Sequence, residues 1–202
     1  MIVDLRDYTT TPGARDRLIE RCEARLFDEQ VRLGATFFGS FRDAGDPDRF
    51  VWLRGMRDLA ERQRILTAFY TDGAMWKAER DEVNAWIADS DNVLLMRPVS
   101  PWAEPATGAS EVAMLSCVGR EPLDDVAGRR RRVEEAIAAA GGRLLVTLAT
   151  DPSENNYPRH PIRAGESGLV WFATFLQGAG LPLHSIGAEV RRLLPTARSW
   201  MR

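Results

Sequence analysis

The residues best equipped for chemistry lie in one polar stretch, Ser153-Glu154-Asn155-Asn156-Tyr157-Pro158-Arg159-His160-Pro161-Ile162-Arg163. His160 is one of two histidines in the chain, and histidine is the side chain most ready to act as a general base near neutral pH. Asn155, Asn156 and Tyr157 bring hydrogen-bonding groups, and Arg163 brings a cation. Together they could take a proton from a bound molecule and hold the oxyanion that results. His160 and Arg163 are therefore the candidate catalytic residues. Long loops inside compact domains often carry function; the competing reading is a solvated or structural histidine. His184, after Leu181-Pro182-Leu183, is the other imidazole available to a site, or else ends a turn.

Charges and aromatics inside strand patterns form the second group. Asp4, Arg6 and Tyr8 alternate with Val3 and Leu5; Phe50, Trp52 and Arg54 alternate with Val51 and Leu53; Arg42 ends another strand. A buried unpaired charge is costly, so these residues either pair across strands or build a pocket. Such a pocket would have aromatic walls and arginine anchors for an acidic or carbonyl-bearing ligand. Trp171, Asn156 and Trp76 are further candidates for its wall. Lys77, the only lysine, could be a desolvated base or nucleophile, against the plainer reading of a solvated helix lysine. No cluster of His, Cys and carboxylates has metal-ligand spacing. GxxxxGK[ST], GxGxxG after a strand and GxSxG are absent, so nucleotide hydrolysis, NAD-type redox and α/β-hydrolase chemistry have no support.

The 27 basic and 29 acidic residues give a formal charge of −2, which offers no electrostatic case for nucleic acid. The run Arg129–Arg132 reads as the solvated face of a helix. Two cysteines, Cys22 and Cys117, cannot make a disulfide framework. No apolar run reaches the ~20 residues of a membrane span, and MIVDLRDYTT lacks a signal-peptide layout. A cytoplasmic protein with no membrane partner is expected.

These residues must be positioned by a repeated pattern. Residues 1–10 read as a strand. Thr11 is a candidate helix cap before Pro12, and Leu18, Cys22, Leu26 and Phe27 give an apolar stripe. Strands 35–42 and 49–54 flank a turn. Asp58-Leu59-Ala60-Glu61 resembles a capping box, with Leu59, Arg62, Leu66 and Phe69 at helical spacing behind it. A further helix covers about 74–88, and 92–97 is a strand. The order strand, helix, strand, strand, helix, strand is the ferredoxin-like pattern. Residues 99–111 read as a linker. Residues 112–202 partly repeat the order: strand 112–119, helix 124–140 ending at Gly141-Gly142, strands 143–149, 168–176 and 188–194, with the second helix reduced. The fold expected is α+β: two fused ferredoxin-like halves, 1–98 and 112–202, forming a barrel within one chain. Two independent domains on a linker are the alternative, and a homodimer is left open. With Val51 and Leu53 assigned to the helix layer, the lumen would receive Phe50, Trp52 and Arg54 together with Asp4, Arg6 and Tyr8. Which face of 168–176 points inward stays undecided.

The first half resembles the NIPSNAP family of the dimeric α/β-barrel superfamily, through Gly39-Ser40-Phe41-Arg42, DPDRFVWLRG (46–55), Ala60-Glu61-Arg62, Ala68-Phe69-Tyr70, Trp76-Lys77 and DSDNVLLMRP (89–98). The resemblance implies the fold and barrel assembly, and little chemistry, since fold alone does not choose a function. The wider superfamily includes cofactor-free oxygenases of phenolic compounds, haem-handling proteins, and natural-product cyclases and decarboxylases. The expectation that follows is a small aromatic or polyketide-like ligand in the barrel cavity. It would be met by a cofactor-independent enzyme with a histidine base, or by a non-catalytic scaffold. Haem enters by superfamily analogy only.

Overall fold

The computed structural model describes residues 1–105, 111–175 and 187–201. Strand β1 (Ile2–Thr10) leads to α1 (Arg15–Arg21), which runs through a π-helical turn, Cys22–Leu26, into α2 (Phe27–Arg32). β2 (Thr36–Asp43) and β3 (Arg49–Met56) form a hairpin. α3 (Leu59–Leu66) continues through a second π-helical turn, Thr67–Asp72, and meets α4 (Ala74–Ala85) at Gly73. A short β4 (Ile87–Asp89) and β5 (Val93–Pro98) complete the first half. The second half has β6 (Val112–Gly119), α5 (Val126–Ala139), β7 (Arg143–Thr150), β8 (Ser167–Thr174) and β9 (Glu189–Pro195). The crossover expected at 177–187 lies outside the described residues except for Gly187.

The eight long strands close into one antiparallel barrel, in the order β1-β3-β2-β9-β6-β8-β7-β5 and back to β1. The seams between the halves are β2–β9, where Phe41 opposes Pro195, and β5–β7, where Met96 opposes Thr150. The independent-domain alternative therefore does not hold. Part of the expected linker extends the second seam: Val99 N–H donates to Thr147 O (2.9 Å) and Ala103 N–H to Leu145 O (2.8 Å). Trp102 stacks on Phe38 with ring centroids 3.8 Å apart.

Local signals explain most boundaries. Asp58 caps α3, its carboxylate accepting from Glu61 N (2.8 Å), while the Glu61 carboxylate accepts from Arg57 N (2.7 Å). Gly141 takes φ 73° just after α5, the left-handed region that glycine enters without strain. Thr11 does not cap α1. A turn separates the two, Ala14 is the N-cap, and the Thr11 hydroxyl reaches Trp86 O at 3.5 Å instead.

The lumen corrects the expected facing. An eight-stranded barrel leaves room for little beyond its own side chains, and here Leu5, Val51, Leu53, Met96, Met114 and Phe172 are among those that fill it. Phe50, Trp52, Arg54, Asp4, Arg6 and Tyr8 have the opposite parity and lie on the outer face, under the helices of the first half. Strand alternation separates the two sets correctly. It could not say which set faces inward, because both faces of the barrel wall are buried. In the second half Trp171, Ala173 and Phe175 pack outward against α5, and Val170 and Phe172 point inward.

Candidate functional site

The barrel wall and the first half's helices enclose a fully buried charge cluster around Asp4. Strand register places Arg54 directly opposite Asp4. Arg54 donates to Asp4 Oδ2 through Nε (3.0 Å) and Nη2 (2.9 Å). Arg62, from the inner face of α3, donates through Nε to Asp4 Oδ1 (2.8 Å). Arg6 Nη1 stands 3.9 Å from Asp4 Oδ2. Burial alone would raise the Asp4 pKa, but Arg54, Arg62 and Arg6 hold the carboxyl well below its ordinary range.

Among the described residues, the remaining partners of these arginines are all formally neutral. Arg6 Nε donates to Tyr8 Oη (2.7 Å), and Arg6 Nη2 lies 3.4 Å from His160 Nδ1. Arg54 Nη1 donates to Gln30 Oε1 (2.5 Å) and Tyr70 Oη (3.2 Å). Arg62 Nη1 donates to Asn156 Oδ1 (2.9 Å) and Asn155 Oδ1 (3.2 Å). Three guanidinium groups therefore face one carboxylate, an excess of two positive charges with side chains at most 1% exposed. Arg6 Nη1, Arg62 Nη2 and Trp52 Nε1 are buried without a hydrogen-bond partner among the described residues. Buried unmatched charge and unpaired donors are costly, so this arrangement stores a demand for negative charge.

A cavity of about 50 Å³ adjoins the cluster, walled by Tyr8, Phe27, Trp52, Tyr70, Trp76 and His160 among others. Both π-helical turns contribute to it, Cys22 and Leu26 from the first, Phe69 and Tyr70 from the second; such turns recur at functional sites. Gly73 is required where the second turn meets α4, since a Cβ there would collide with the Phe69 carbonyl oxygen.

The loop between β7 and β8 lies over the cluster. Besides the Asn155 and Asn156 contacts, Tyr157 Oη bonds Thr71 Oγ1 (2.9 Å), Asn156 reaches Leu59 O (2.5 Å) and Arg159 reaches Thr71 Oγ1 (3.2 Å). His160 lies against Tyr70 with ring centroids 4.0 Å apart. Burial, then Arg6 and Arg54, push its pKa down to about 2. Arginine has no acceptor atom, so Arg6 can only donate. Nδ1 is then the acceptor nitrogen, and the single ring proton sits on Nε2.

Of the residues singled out from sequence, Tyr8, Trp52, Arg54, Trp76, Asn156 and His160 converge here. Arg42 does not: it pairs with Asp16 (2.7 Å) near the surface. Trp171 is packing beneath α5. Arg163 sits at the barrel mouth, bonded to Asn92 (3.1 Å) and paired with Glu166. It lines a separate cavity of about 210 Å³ with a floor of Leu5, Leu94, Met114 and Val170. Lys77 is exposed and donates to Asp72 O (3.2 Å). His184 lies outside the described residues. Sequence reasoning missed Gln30 and Tyr70 as members of the cluster, and Arg62 carried a signal that went unused: an arginine in an apolar helical stripe.

Among the described residues no group of three or more His, Cys, Asp or Glu could hold a metal ion, and no helix is long and apolar enough to cross a membrane. Haem does not fit this site. A porphyrin needs many times the 50 Å³ available, and the His160 ring is held between Arg6 and Tyr70.

No protein-family model and no curated protein matches the chain. Solved structures match its fold. A "putative monooxygenase" from Lactobacillus acidophilus aligns with TM-score 0.59 and 14% identity over 96% of this chain and 93% of its own. An anthrone oxidase-like protein aligns with TM-score 0.50 and 9% identity over 96% and 91%. A NIPSNAP domain protein from Burkholderia xenovorans aligns with TM-score 0.45 and 17% identity over 50% of this chain and 99% of its own. At these identities the likeness to the first two shows the α+β barrel fold alone, and membership of the NIPSNAP family is not established.

Proposed function

We propose that this protein binds a small aromatic molecule between the barrel wall and the helices of its first half, and acts on it as a cofactor-independent oxygenase. The observation that carries the reading is the buried cluster with two excess positive charges beside an aromatic-walled cavity. Fixed cations and dipoles in a dry site stabilise negative charge that develops on a bound molecule. A phenolate or enolate is electron-rich enough to react with dioxygen without help from a metal or flavin. The names of two structures sharing the fold, a "putative monooxygenase" and an anthrone oxidase-like protein, point to the same class. The cavity as it stands is smaller than the ~150 Å³ known to hold benzene, so the β7–β8 loop or α4 must give way on binding. His160 is proposed as a donor through Nε2 rather than as a base, since Nδ1 faces Arg6.

The scaffold alternative calls for a side-chain-filled barrel and an exposed apolar patch on a helix; the lumen is largely filled by side chains, which agrees with the first of these. Among the described residues the exposed large hydrophobics are Met1, Val31 and Val126, on separate elements, which favours the ligand-binding reading. The test is melting and oxygen uptake with a panel of mono- and bicyclic phenols. Binding should raise the melting midpoint, and a substrate should consume oxygen in metal-free buffer. No shift with any phenol at millimolar concentration would refute the reading.

A further inference from the structure

The walls of this cavity have a consistent polarity. Tyr8 Oη accepts from Arg6 Nε, and Tyr70 Oη accepts from Arg54 Nη1. Burial pushes the Tyr8 pKa up to about 12, so that phenol keeps its proton. Neither hydroxyl has an acceptor for its proton among the described residues. Trp52 Nε1–H is buried and unpartnered. His160 presents Nε2–H, because Nδ1 faces an arginine that can only donate. Gln30 has its amide oxygen on Arg54 and its amide nitrogen on Leu26 O (3.3 Å). Cys22, with its pKa raised to about 12 by burial, stays a thiol. Asn84 and Ser90, the other polar wall residues, are more exposed and form the rim.

The residues lining the cavity thus carry at least four N–H or O–H donors with no acceptor among the described residues, on Tyr8, Tyr70, Trp52 and His160, two of them polarised by arginines, and among these lining residues there is no carboxylate, no imidazole lone pair clear of Arg6 and no thiolate. An oxyanion hole has this composition, whereas a proton-abstracting site needs a basic atom within hydrogen-bond reach of the substrate. Resting on the proposed ligand site, we infer that the cavity takes its ligand as a preformed oxyanion. The substrate class is then a small aromatic whose phenol or enol is acidic enough to be ionised in neutral solution. The proton is lost to water before binding, and the protein contributes charge stabilisation rather than a base.

The full chain can be tested with 4-nitrophenol, whose absorbance reports its own ionisation, against 4-nitroanisole, which has the same ring and cannot ionise. The expected result is that bound 4-nitrophenol is yellow at a pH where the free phenol is mostly protonated. It should bind about tenfold or more tightly above its own pKa than below it, and nitroanisole should bind at least that much more weakly. Trp52→Phe removes one donor that has no partner among the described residues, and so strands no charge. It should shrink the preference for the anion while the ring still binds, which a purely structural role would not do. Equal binding of nitrophenol and nitroanisole would overturn the oxyanion inference and leave the aromatic cavity standing. Binding of neither at millimolar concentration would overturn the underlying ligand site, and the inference with it.

Discussion

Acidification should unfold this protein earlier than its carboxylates alone would require, through His160. In the unfolded chain the imidazole titrates near its ordinary 6.5, whereas in the fold burial and the neighbouring Arg6 and Arg54 bring it down to about 2. Arg62 adds to that depression and Asp4 partly offsets it; the rings of Tyr70 and Tyr157 also face His160, and Tyr8, pushed up to about 12, stays protonated over the range considered. Between those two values the unfolded state holds one more proton than the folded state. Stability therefore rises with pH across this window, is fully present above about 6.5, and falls as pH drops below it. From pH 7.5 to pH 5 the loss from this one group is about 2 kcal/mol. The depressed Asp4 acts lower: its contribution is present above the unfolded carboxyl value of 3.8 and is lost only below that. Urea unfolding at pH 7.5 and pH 5.0, on the wild type and on His160→Gln, isolates the effect, since His184 and the surface carboxylates are common to both. The wild type should lose about 2 kcal/mol more than the variant with unchanged m-values. Equal losses would mean that His160 titrates as a solvated histidine, and the packing of the β7–β8 loop over the cluster would be wrong.

Asp4→Asn removes the one carboxylate facing three buried arginines, and should cost about 3–5 kcal/mol in denaturant unfolding; a cost below about 1 kcal/mol would show that the cluster is hydrated. Gly73→Ala should lose about 1–3 kcal/mol, because the added methyl meets the Phe69 carbonyl, and should displace Tyr70 enough to alter near-UV circular dichroism. Trp171→Ala should lose about 3–5 kcal/mol by opening a hole under α5, with phenol affinity in the first half unchanged. Asn156→Ala frees Arg62 Nη1 and Leu59 O from one partner each, and should speed proteolytic cutting in the β7–β8 loop.

How much of this was legible depended on which physical signal each feature leaves. Element order and the two-half plan were readable because hydrophobic period and turn chemistry are local. The Asp58 capping box was equally local. The facing of β1 and β3 was not: Asp4, Arg6 and Tyr8 separate cleanly from Val3 and Leu5 by alternation, but each set is buried by a different layer. The barrel interior accepts only what an eight-stranded tube can hold. The charges went to the helix side, where Arg62 from α3 and Gln30 from α2 could reach them. Those partners lie 58 and 24 residues from theirs in sequence, and no local rule connects positions so far apart. The loop was recognised as unusual by its length and polarity, yet its target could not be. His160 and Arg163 are three residues apart and end at different cavities on opposite faces of the barrel wall.

The asymmetry between the halves shows what the second half contributes. On the outer face of the first half, register opposes Asp4 to Arg54, Arg6 to Trp52 and Tyr8 to Phe50. In the corresponding hairpin-and-neighbour arrangement of the second half, Ala113 opposes Ala173, Leu115 opposes Trp171 and Cys117 opposes Leu169. The charged positions have apolar counterparts there, packed by Val133 and Ile137 of α5. Yet the second half supplies Asn155, Asn156 and His160 to the first half's arginines. One half holds the charge and the other covers it. Titration with a bound phenol should accordingly saturate at one ligand per chain. A second equivalent of comparable affinity would require a site where these opposed residues are Ala, Leu, Trp and Cys in place of paired charges, and would refute this division of roles.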